Sequence, residues 1–495
     1  MSPRKASRSP MYRTASTATS PGPVVNILHL TDLHFDALAC ADDKTKRAIA
    51  YDALLTRLER IVSGDEDAMP SSFGEYGPRP LPDYVVLSGD IAYRGSKADY
   101  KLAKDFIKKL LNVLGLPASR VVVAPGNHDR NIDHAHGLGY PRNAKQCDKW
   151  LSPGALAPIS PRHHAALVLP FANFVDFCRN GKYMKPSGIA GLEYLTGISS
   201  IKTDDHRLDF LVVNSAWFAD RAATDMQNMW LGLPLLQSLC GPRSNGRLLP
   251  RLAEEDHGNR LVVGICHHPR EWLHQEEHDS YSDRPNTFRY LAESCNVLLS
   301  GHVHGALEPP TSAHNCAQSF TGGATYASEY FRNNFSLLQV DFADRSVTRA
   351  GYEYNPRVET WEEQTQAAGT YPLFHTGREC EPNTRVTQLA GRWDSVFWTE
   401  HQPAGRKKAR KLTLEAHGQK GFRTSSGKFT LDGVLDCGYF SGHWRDSSEE
   451  PHLHGTFQLK VHGKHSMVGR WLGFDKTGEI RVGLWRFTKA RGRRP

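Results

Sequence analysis

The chain has 495 residues, of which 39% are hydrophobic, and carries a formal net charge of +8 at pH 7. This composition allows a large buried core and two or three domains, and no apolar run is long enough to predict a membrane-spanning helix. The nine cysteines are scattered without a CxxC pair, and the N-terminus lacks the apolar stretch of a secretory signal. We therefore expect a globular cytoplasmic protein that does not bind membranes, and the oligomeric state stays open.

The positive charge is concentrated at the two ends of the chain. Residues 1–20 contain four Arg or Lys and no acid, and residues 386–495 contain 20 Lys or Arg against 10 Asp or Glu. Residues 1–22 are rich in Ser, Thr, Pro and Arg and offer little to bury, so they are expected to form a disordered basic tail. A transit peptide, or a start codon placed before Met11, is the alternative.

Beyond this tail, short apolar runs alternate with polar clusters. Near-continuous apolar runs of this length predict strands that are buried on both faces. Between the second and third runs, Leu102, Phe106, Leu110 and Val113 lie at helical spacing, and Gly115 is the expected end of the helix. The alternation predicts an α/β domain over residues 23–355. The six runs are VVNILHLTDLHFD, YVVLSGDIAY, VVVAPGNHDRN, LDFLVVNSAW, LVVGICHHPREW and NVLLSGHVHG.

Composition changes predict the remaining boundaries. Residues 130–210 are rich in Pro, Gly and His and are expected to form an insertion or cap. Residues 356–385 show no sustained hydrophobic period and are expected to form a linker. Residues 386–495 become rich in Gly and Trp, which predicts a separate β domain.

Polar side chains follow the ends of the predicted strands. In open α/β sheets the ligand crevice lies at the carboxyl ends of the strands, where loops on a rigid scaffold converge. The sequence therefore predicts one site that is assembled from five loops. Its candidate residues are Asp32, His34, Asp90, Asn127, His128, Asp129, His267, His302 and His304.

The residue types at this site favour metal binding. Asp32 and His34, like His302 and His304, are separated by one residue, so in an extended segment both side chains of a pair point the same way. Imidazole and carboxylate ligands suit Zn, Mn, Fe or Co. One ion rarely takes seven such ligands, whereas two metal ions about 3.5–4 Å apart with a bridging carboxylate use them naturally. The seven are Asp32, His34, Asp90, Asn127, His267, His302 and His304.

These motifs, in this order, resemble the calcineurin-like metallophosphoesterase superfamily over roughly residues 24–355. The motifs are DLH at 32–34, GD at 89–90, GNHD at 126–129, HHP at 267–269 and GHVH at 301–304. The resemblance implies a two-sheet αββα sandwich and a dinuclear-metal-dependent phosphoester hydrolase. In such an enzyme the two cations activate a bridging water for in-line attack on phosphorus.

The resemblance also implies a role for each residue. Asp32, His34 and His304 would bind the first metal, Asn127, His267 and His302 the second, and Asp90 would bridge the two. His128 would be the catalytic histidine that stabilises the transition state or protonates the leaving oxygen, and Asp129 would fix the orientation of its ring. His268, which directly precedes Pro269, would be a pocket residue.

Two departures from related branches narrow the expected activity. Tyr93 lies where purple acid phosphatases carry an iron-binding tyrosine, but His34 fills that coordination place, so Tyr93 is expected to pack. GNHD ends in Asp129, where Ser/Thr protein phosphatases have Glu, and this makes the chain more similar to cyclic nucleotide phosphodiesterases and nucleases. We therefore expect a phosphodiesterase that acts on nucleotides or related phosphoesters. The alternative is a DNA or RNA nuclease.

The C-terminal region predicts an antiparallel sheet or small barrel, faintly similar to lipocalin- or avidin-like barrels. Four Gly-x-Trp units end at Trp393, Trp444, Trp471 and Trp485, and the tryptophans are expected to fill its interior. The basic runs GRKKARK and RFTKARGRRP could bind nucleic acid, or could form a solvated face. A third alternative is that this domain senses a small ligand or docks a partner.

Overall fold

The structure, a computed structural model, describes residues 24–489 with several gaps. The predicted tail at residues 1–22 lies outside the described residues. The chain divides after residue 377 into two compact units. The gaps are 74–80, 135–139, 153–163, 203–205, 221–224, 241–259, 279–285, 314–315, 343–344, 366–367, 374–388, 400–407, 418–420, 425–427, 437–438, 449–452, 463–465 and 475–479.

The first unit combines strands and helices. No helix within the described ranges is both long enough and apolar enough to cross a lipid bilayer. The helices are α1 Ala41–Ser63, α2 Lys97–Leu114, α3 Ala144–Trp150, α4 Ala172–Gly181, α5 Leu233–Cys240, α6 Gln275–His278 and α7 Thr287–Glu293. The strands are β1 Val24–Leu30, β2 Tyr84–Leu87, β3 Val121–Val123, β4 Gly197–Lys202, β5 Arg207–Val212, β6 Arg260–Ile265, β7 Val297–Ser300, β8 Thr311–Ala313, β9 Ala317–Thr321, β10 Asn334–Asp341, β11 Ser346–Asn355, β12 Thr360–Glu363 and β13 Gly369–Pro372.

These strands form two sheets. The first has the order β12-β11-β10-β1-β2-β3, with β13 also paired to β11, and the second has the order β4-β5-β6-β7-β9-β8. Pairing is parallel in the β1-β2-β3 and β5-β6-β7-β9 parts, from which the site loops leave. The predicted two-sheet α/β architecture is confirmed.

Alternating side chains place each sheet between two cores. Ile27 and Val86 belong to the core that the two sheets share, while Leu28 and Val85 belong to the core on the helical side. All four side chains are fully buried. Burial on both faces explains why these strands appear in the sequence as near-continuous apolar runs.

Helix α2 ends where its sequence predicts, but the residues that it buries differ from the predicted set. Ser96 and Asp99 form a capping box at its start, and Gly115 ends it with a φ of 67°. Phe106 and Leu110 are buried, whereas Leu102 is 38% exposed. The helix packs on a face that is rotated from the predicted stripe toward Tyr100, Ala103 and Ile107.

Two predicted boundaries do not match the strands. Strands β12 and β13 lie inside the interval 356–385 that was expected to be a linker, and both pair with β11. Trp361 of β12 is buried, and its indole N–H donates to the carbonyl of Ala50 in α1. Strand β4 likewise falls within the expected insertion at 130–210. Strands of four to six residues at a sheet edge carry too short a pattern to be recognised.

The second unit is a closed barrel of eight antiparallel strands in sequential order. The predicted antiparallel β domain is thus confirmed as a barrel. Trp393, Trp471 and Trp485 are buried in its core, and Trp444 is half-buried beside them. The strands are β14 Gly391–Thr399, β15 Lys408–His417, β16 Gly421–Thr424, β17 Phe429–Asp436, β18 Tyr439–Asp446, β19 Leu453–His462, β20 Ser466–Phe474 and β21 Ile480–Lys489.

Candidate metal centre

The nine candidate site residues all lie in loops that follow parallel strands of the two sheets. Asp32 and His34 follow β1, Asp90 follows β2, and residues 127–129 follow β3. His267 follows β6, while His302 and His304 follow β7. Six of the nine residues are buried, and the exceptions, His128, His302 and His304, are partly exposed.

The backbone at four of these positions is left-handed. Asp32, His34, Asp90 and His302 have φ values of 53°, 47°, 53° and 71°. The expectation that the paired residues converge because they alternate along an extended segment is therefore wrong. Non-glycine residues in this region are strained and are held there by their surroundings, as is typical of functional sites.

Two glycines of the motifs permit the close approach of neighbouring loops. Gly89 has a φ of 108°, and a Cβ atom there would lie 2.5 Å from Nδ1 of His267. A Cβ atom on Gly301 would lie 2.6 Å from Oδ2 of Asp32. A larger residue at either position would displace a candidate ligand, because real Cβ atoms do not approach so closely.

The carboxylate of Asp32 presents one oxygen to the centre. Its Oδ2 accepts hydrogen bonds from the Thr31 hydroxyl at 2.6 Å and from the His302 backbone N–H at 2.9 Å. Its Oδ1 lies 3.0 Å from Nε2 of His304 and 3.5 Å from Nε2 of His34. One oxygen is thus fixed by the protein, and the other is directed at imidazole nitrogens.

One carboxylate oxygen of Asp90 is likewise held by the protein, and the other lies near both His34 and His267. Its Oδ1 accepts a 2.7 Å hydrogen bond from the backbone N–H of His128. Its Oδ2 is buried, lacks a hydrogen-bond donor among the described residues, and lies 3.2 Å from Nε2 of His267 and 3.9 Å from Nε2 of His34. This geometry fits a carboxylate that bridges two cations.

Neighbouring groups fix the rings of His267 and His268. Nδ1 of His267 lies 2.9 Å from the carbonyl of Ser88, so this nitrogen donates and Nε2 is directed at Asp90. Nδ1 of His268 lies 2.8 Å from the hydroxyl of Ser215. Ring nitrogens of His267, His268 and His302 lie within 4.8 Å of one another, so His268 is also close enough to serve as a ligand.

The electrostatics of the centre favour cations. Imidazoles of His267, His304 and His34 overcome the effect of burial and hold the pKa of Asp32 well below its usual value. Burial lowers the pKa of His267, but the carboxylates of Asp90 and Asp32 outweigh it and raise the pKa to about 9. Burial and the neighbouring His267 lower the pKa of His302 to about 3. The two buried carboxylates are therefore stabilised by positive charge.

The donor set fits metal ions. Asp32, His34 and His304 form one group of ligand atoms within 4.8 Å, and Asp32, Asp90 and His267 form another. Nε2 atoms of His34 and His304 face each other at 3.1 Å, and Nδ1 of His302 faces Nε2 of His267 at 3.2 Å. Lone pairs that converge in this way repel unless a proton or a metal ion lies among them.

The ring of His128 is oriented by a backbone group rather than by Asp129. Its Nδ1 donates to the carbonyl of Tyr93 at 2.7 Å, which directs Nε2 away from the loop. The Tyr93 ring stacks on the imidazole with centroids 4.9 Å apart. The expectation that Tyr93 packs is consistent with this contact, while the role predicted for Asp129 is wrong.

Asp129 instead holds neighbouring loops together. Its buried carboxylate accepts hydrogen bonds from the backbone N–H groups of Ala92 and Gly126 at 3.1 and 3.0 Å, and from the Tyr100 hydroxyl at 2.9 Å. Burial and the nearby Asp90 raise the pKa of Asp129 to about 6. This aspartate positions the loops that carry Asp90 and His128.

Aromatic side chains flank the centre, and two of them were not predicted from the sequence. The ring of Trp272 meets His302 edge-on at 3.9 Å, and that of Phe331 meets His304 edge-on at 5.1 Å. Phe331 is 47% exposed and Tyr93 is 40% exposed. Neither Trp272 nor Phe331 belongs to a motif, so only the fold reveals that they lie here.

Comparison with known proteins assigns the chain to a family. The family model of the calcineurin-like phosphoesterases matches residues 25–306, which is more than half of the chain. The chain belongs to this family. The resemblance of its motifs to this superfamily is thus confirmed. Members of the family typically depend on a dinuclear metal centre, and the His/Asp groups described above are candidate metal-binding sites.

Individual relatives are distant. The chain is 20% identical over 292 residues to an uncharacterized metallophosphoesterase-like protein, YydB, of Bacillus subtilis (strain 168), and the match covers 57% of this chain. It spans about half of that relative, 54% of its length. Among solved structures, a dimetal phosphatase from Danio rerio matches 72% of this chain and 100% of its own, with 11% identity and a TM-score of 0.35. The structure of EF1p2_mFAP2b bound to DFHBI matches 21% of this chain and 95% of its own, with 10% identity and a TM-score of 0.18.

Proposed function

We propose that this calcineurin-like phosphoesterase is a dinuclear-metal-dependent phosphodiesterase that acts on nucleotides or related phosphoesters. The observation that carries the proposal is the buried Oδ2 of Asp90, directed at the imidazoles of both His34 and His267. Oδ1 of Asp90 already accepts from the His128 backbone N–H, so Oδ2 is the oxygen that would be left to hold cations.

Each candidate residue has a role in this proposal. Asp32, His34 and His304 would hold one ion, and Asn127, His267 and His302 the other, with Asp90 shared. When bound, two ions such as Mn, Fe, Zn or Co supply Lewis-acid stabilisation of the phosphate and an activated water. Thr31 and the backbone of His302 orient Asp32, while Ser88 orients His267. Such outer contacts fix the direction of each ligand.

His128 is proposed to transfer a proton to the leaving oxygen. Its Nδ1–H is committed to the Tyr93 carbonyl, so Nε2 is the atom that carries the proton toward the substrate. The ring is partly exposed and lies 4.7 Å from that of His34, next to the centre but open to solvent. This position suits a general acid.

Replacing His128 with Ala is expected to lower kcat by about 10²–10⁴-fold while leaving the metal content unchanged. The test measures kcat for bis(4-nitrophenyl) phosphate together with metal ions bound per chain. His134→Ala, which alters an exposed histidine, is the control. Loss of a metal ion from the His128 variant would instead make His128 a ligand.

The flanking aromatic rings support a substrate with planar ester groups. Tyr93, Trp272 and Phe331 contact three different histidines of the site, so a phosphate at the centre would place its ester groups beside them. Stacking of a base on an aromatic side chain contributes about 1–3 kcal/mol. Nucleotides present such a planar group.

Phe331→Ala is therefore expected to raise KM for bis(4-nitrophenyl) phosphate roughly fivefold or more with little change in kcat, because it removes binding that the ground and transition states share. Steady-state kinetics measures the effect, and Val358→Ala, at another exposed apolar residue, is the control. An unchanged KM would show that this ring does not contact the ester groups.

The experiment that tests the function itself is a substrate screen of the Mn²⁺-loaded protein with cyclic nucleotides, dinucleotides, bis(4-nitrophenyl) phosphate and 4-nitrophenyl phosphate. Metal-dependent hydrolysis of the diesters, faster than that of the monoester, is the expected result. Hydrolysis of none of these compounds with any divalent metal would contradict the proposal.

A nuclease is the second candidate, because exposed basic side chains lie on the barrel. Arg392, Lys411, Arg445 and Arg486 are exposed, although most of the two basic runs lies outside the described residues. Salt-sensitive degradation of single-stranded DNA would favour this alternative.

The cytoplasmic location expected from the scattered cysteines stays a prediction.

A further inference from the structure

The interior of the C-terminal barrel contains buried polar groups that the protein does not satisfy. The indole nitrogens of Trp471 and Trp485 and the hydroxyl of Ser395 are buried and meet no hydrogen-bond partner among the described residues. The three residues are 8%, 2% and 0% exposed. Buried indole N–H groups normally find an acceptor, because an unpaired buried donor has lost its hydrogen bond to water without replacement.

These three groups lie on neighbouring strands. Phe397, two residues after Ser395 on β14, pairs with Trp485 on β21, so Ser395 and Trp485 are diagonal neighbours. Trp485 pairs with Gly469 on β20, two residues before Trp471, so the two tryptophans are diagonal neighbours as well. Alternation directs all three side chains into the barrel. The unsatisfied groups are therefore adjacent in the interior.

Aromatic rings surround them. Phe397 lies 6.1 Å from Trp471 and 5.9 Å from Trp485 between ring centroids, and Trp444 lies 5.7 Å from Trp471. Phe429 lies 5.8 Å from Trp485. All belong to the end of the barrel at which β14 ends, which we call the aromatic end.

An arginine completes the aromatic end. Arg410 alternates along β15 with the buried Leu412 and Leu414, so its side chain lies on the same, inner face of the barrel. It pairs in register with Ser395 on β14. Its guanidinium lies 4.4 Å from the Phe429 ring centroid and forms an ion pair with Asp446, which is 3% exposed. This residue of the GRKKARK run is thus turned inward, not outward as a phosphate contact would require. Its side chain is 27% exposed, so solvent reaches this end.

The opposite end contains a tryptophan whose indole donor is satisfied. Trp393 and Leu389 are fully buried there, and the Trp393 indole N–H donates to the Leu389 carbonyl at 2.8 Å. Trp393 shows the ordinary arrangement of a core tryptophan with a satisfied donor. Trp471 and Trp485 lack such an acceptor among the described residues.

We propose that the aromatic end of the barrel binds a planar aromatic ligand that presents hydrogen-bond acceptors to Trp471, Trp485 and Ser395 beside Arg410. The two indole N–H groups can only donate, and the Ser395 hydroxyl can donate as well, so the ligand must supply acceptors such as carbonyl, carboxylate or sulfonate oxygens. The surrounding rings select a planar group by stacking and edge contacts. All residues of this site belong to the second unit.

The test titrates the full-length protein with 1-anilinonaphthalene-8-sulfonate, a planar probe with acceptor oxygens. Binding is followed by its fluorescence and by energy transfer from tryptophan. Saturable binding at one site per chain is expected, weakened at least tenfold in a Trp471→Phe and Trp485→Phe double variant, which keeps the rings but removes both N–H donors. Ser395→Ala, a milder change, is expected to weaken binding about threefold and serves if the double variant does not fold.

Two controls locate the probe. Arg423→Met removes an exposed arginine on the outer face of the barrel, where it pairs with Asp432, and should leave the affinity unchanged. Asp90→Asn alters the phosphoesterase centre and should also leave it unchanged. Absence of saturable binding, as for an interior that holds only water, would overturn the proposal, as would full affinity in the Trp and Ser variants or loss of binding in Asp90→Asn.

Discussion

Replacing Asp90 with Asn is expected to lower kcat for phosphodiester hydrolysis by about 10³-fold or more, because several kcal/mol of transition-state stabilisation depend on both cations. Asn keeps the shape of the side chain and an oxygen that can accept the His128 backbone N–H. It loses the negative charge, which Oδ2 directs at His34 and His267. The protein should therefore retain its fold while binding fewer than two metal ions per chain.

Activity and metal content are measured on the same samples. Asp176→Asn is the matched control, since Asp176 is 53% exposed and pairs only with Arg179 in the described part of the chain. Its kcat and metal content should equal those of the native protein. An Asp90 variant that binds two ions and hydrolyses bis(4-nitrophenyl) phosphate at the native rate would exclude a bridging role for this carboxylate.

The sequence predicts which loops form the site because apolar runs reveal the strands and parallel strands share one carboxyl edge. Asp90 and His267 lie 177 positions apart in the chain, yet each directly follows such a run. The structure places their side-chain atoms 3.2 Å apart. Strand position and residue chemistry were sufficient for this part of the inference.

The sequence does not predict the conformations that aim these side chains. Alternation along an extended strand predicted that Asp32 converges with His34 and His302 with His304, but the backbone at three of these positions is not extended. Asp32, His34 and His302 adopt left-handed φ values that neighbouring loops impose. Tertiary contacts override local preference at such positions, so no pattern in the sequence reveals them.

The sequence also does not predict which side chains form hydrogen bonds with backbone groups. The partner of the His128 ring is the carbonyl of Tyr93, which every residue type would supply at that position. Arg410 presents the opposite case, because its basic run suggested an exposed surface while strand parity and Asp446 turn it inward. Composition alone does not distinguish an inward-facing arginine from an exposed one, whereas the register of β14 with β15 does.

Asp209→Ala is expected to produce the largest loss of stability, about 3–5 kcal/mol in the free energy of unfolding of the first unit. Asp209 is fully buried on β5, where its carboxylate accepts from the guanidinium groups of Arg260 and Arg207, the latter at 3.0 Å. The Arg260 side chain is only 5% exposed. Removing the carboxylate takes away a buried counter-charge of Arg260, and this costs more than the lost contacts alone.

Urea unfolding followed by circular dichroism measures the effect. The barrel has a hydrophobic core of its own, so its transition is an internal reference that should not move. Asp176→Ala removes an exposed pair and is expected to cost less than about 1 kcal/mol. Because β6 leads from Arg260 directly to His267, metal binding should weaken with the Asp209 variant as well. Equal unfolding midpoints for the two variants would show that the buried pairs contribute no more than a surface pair.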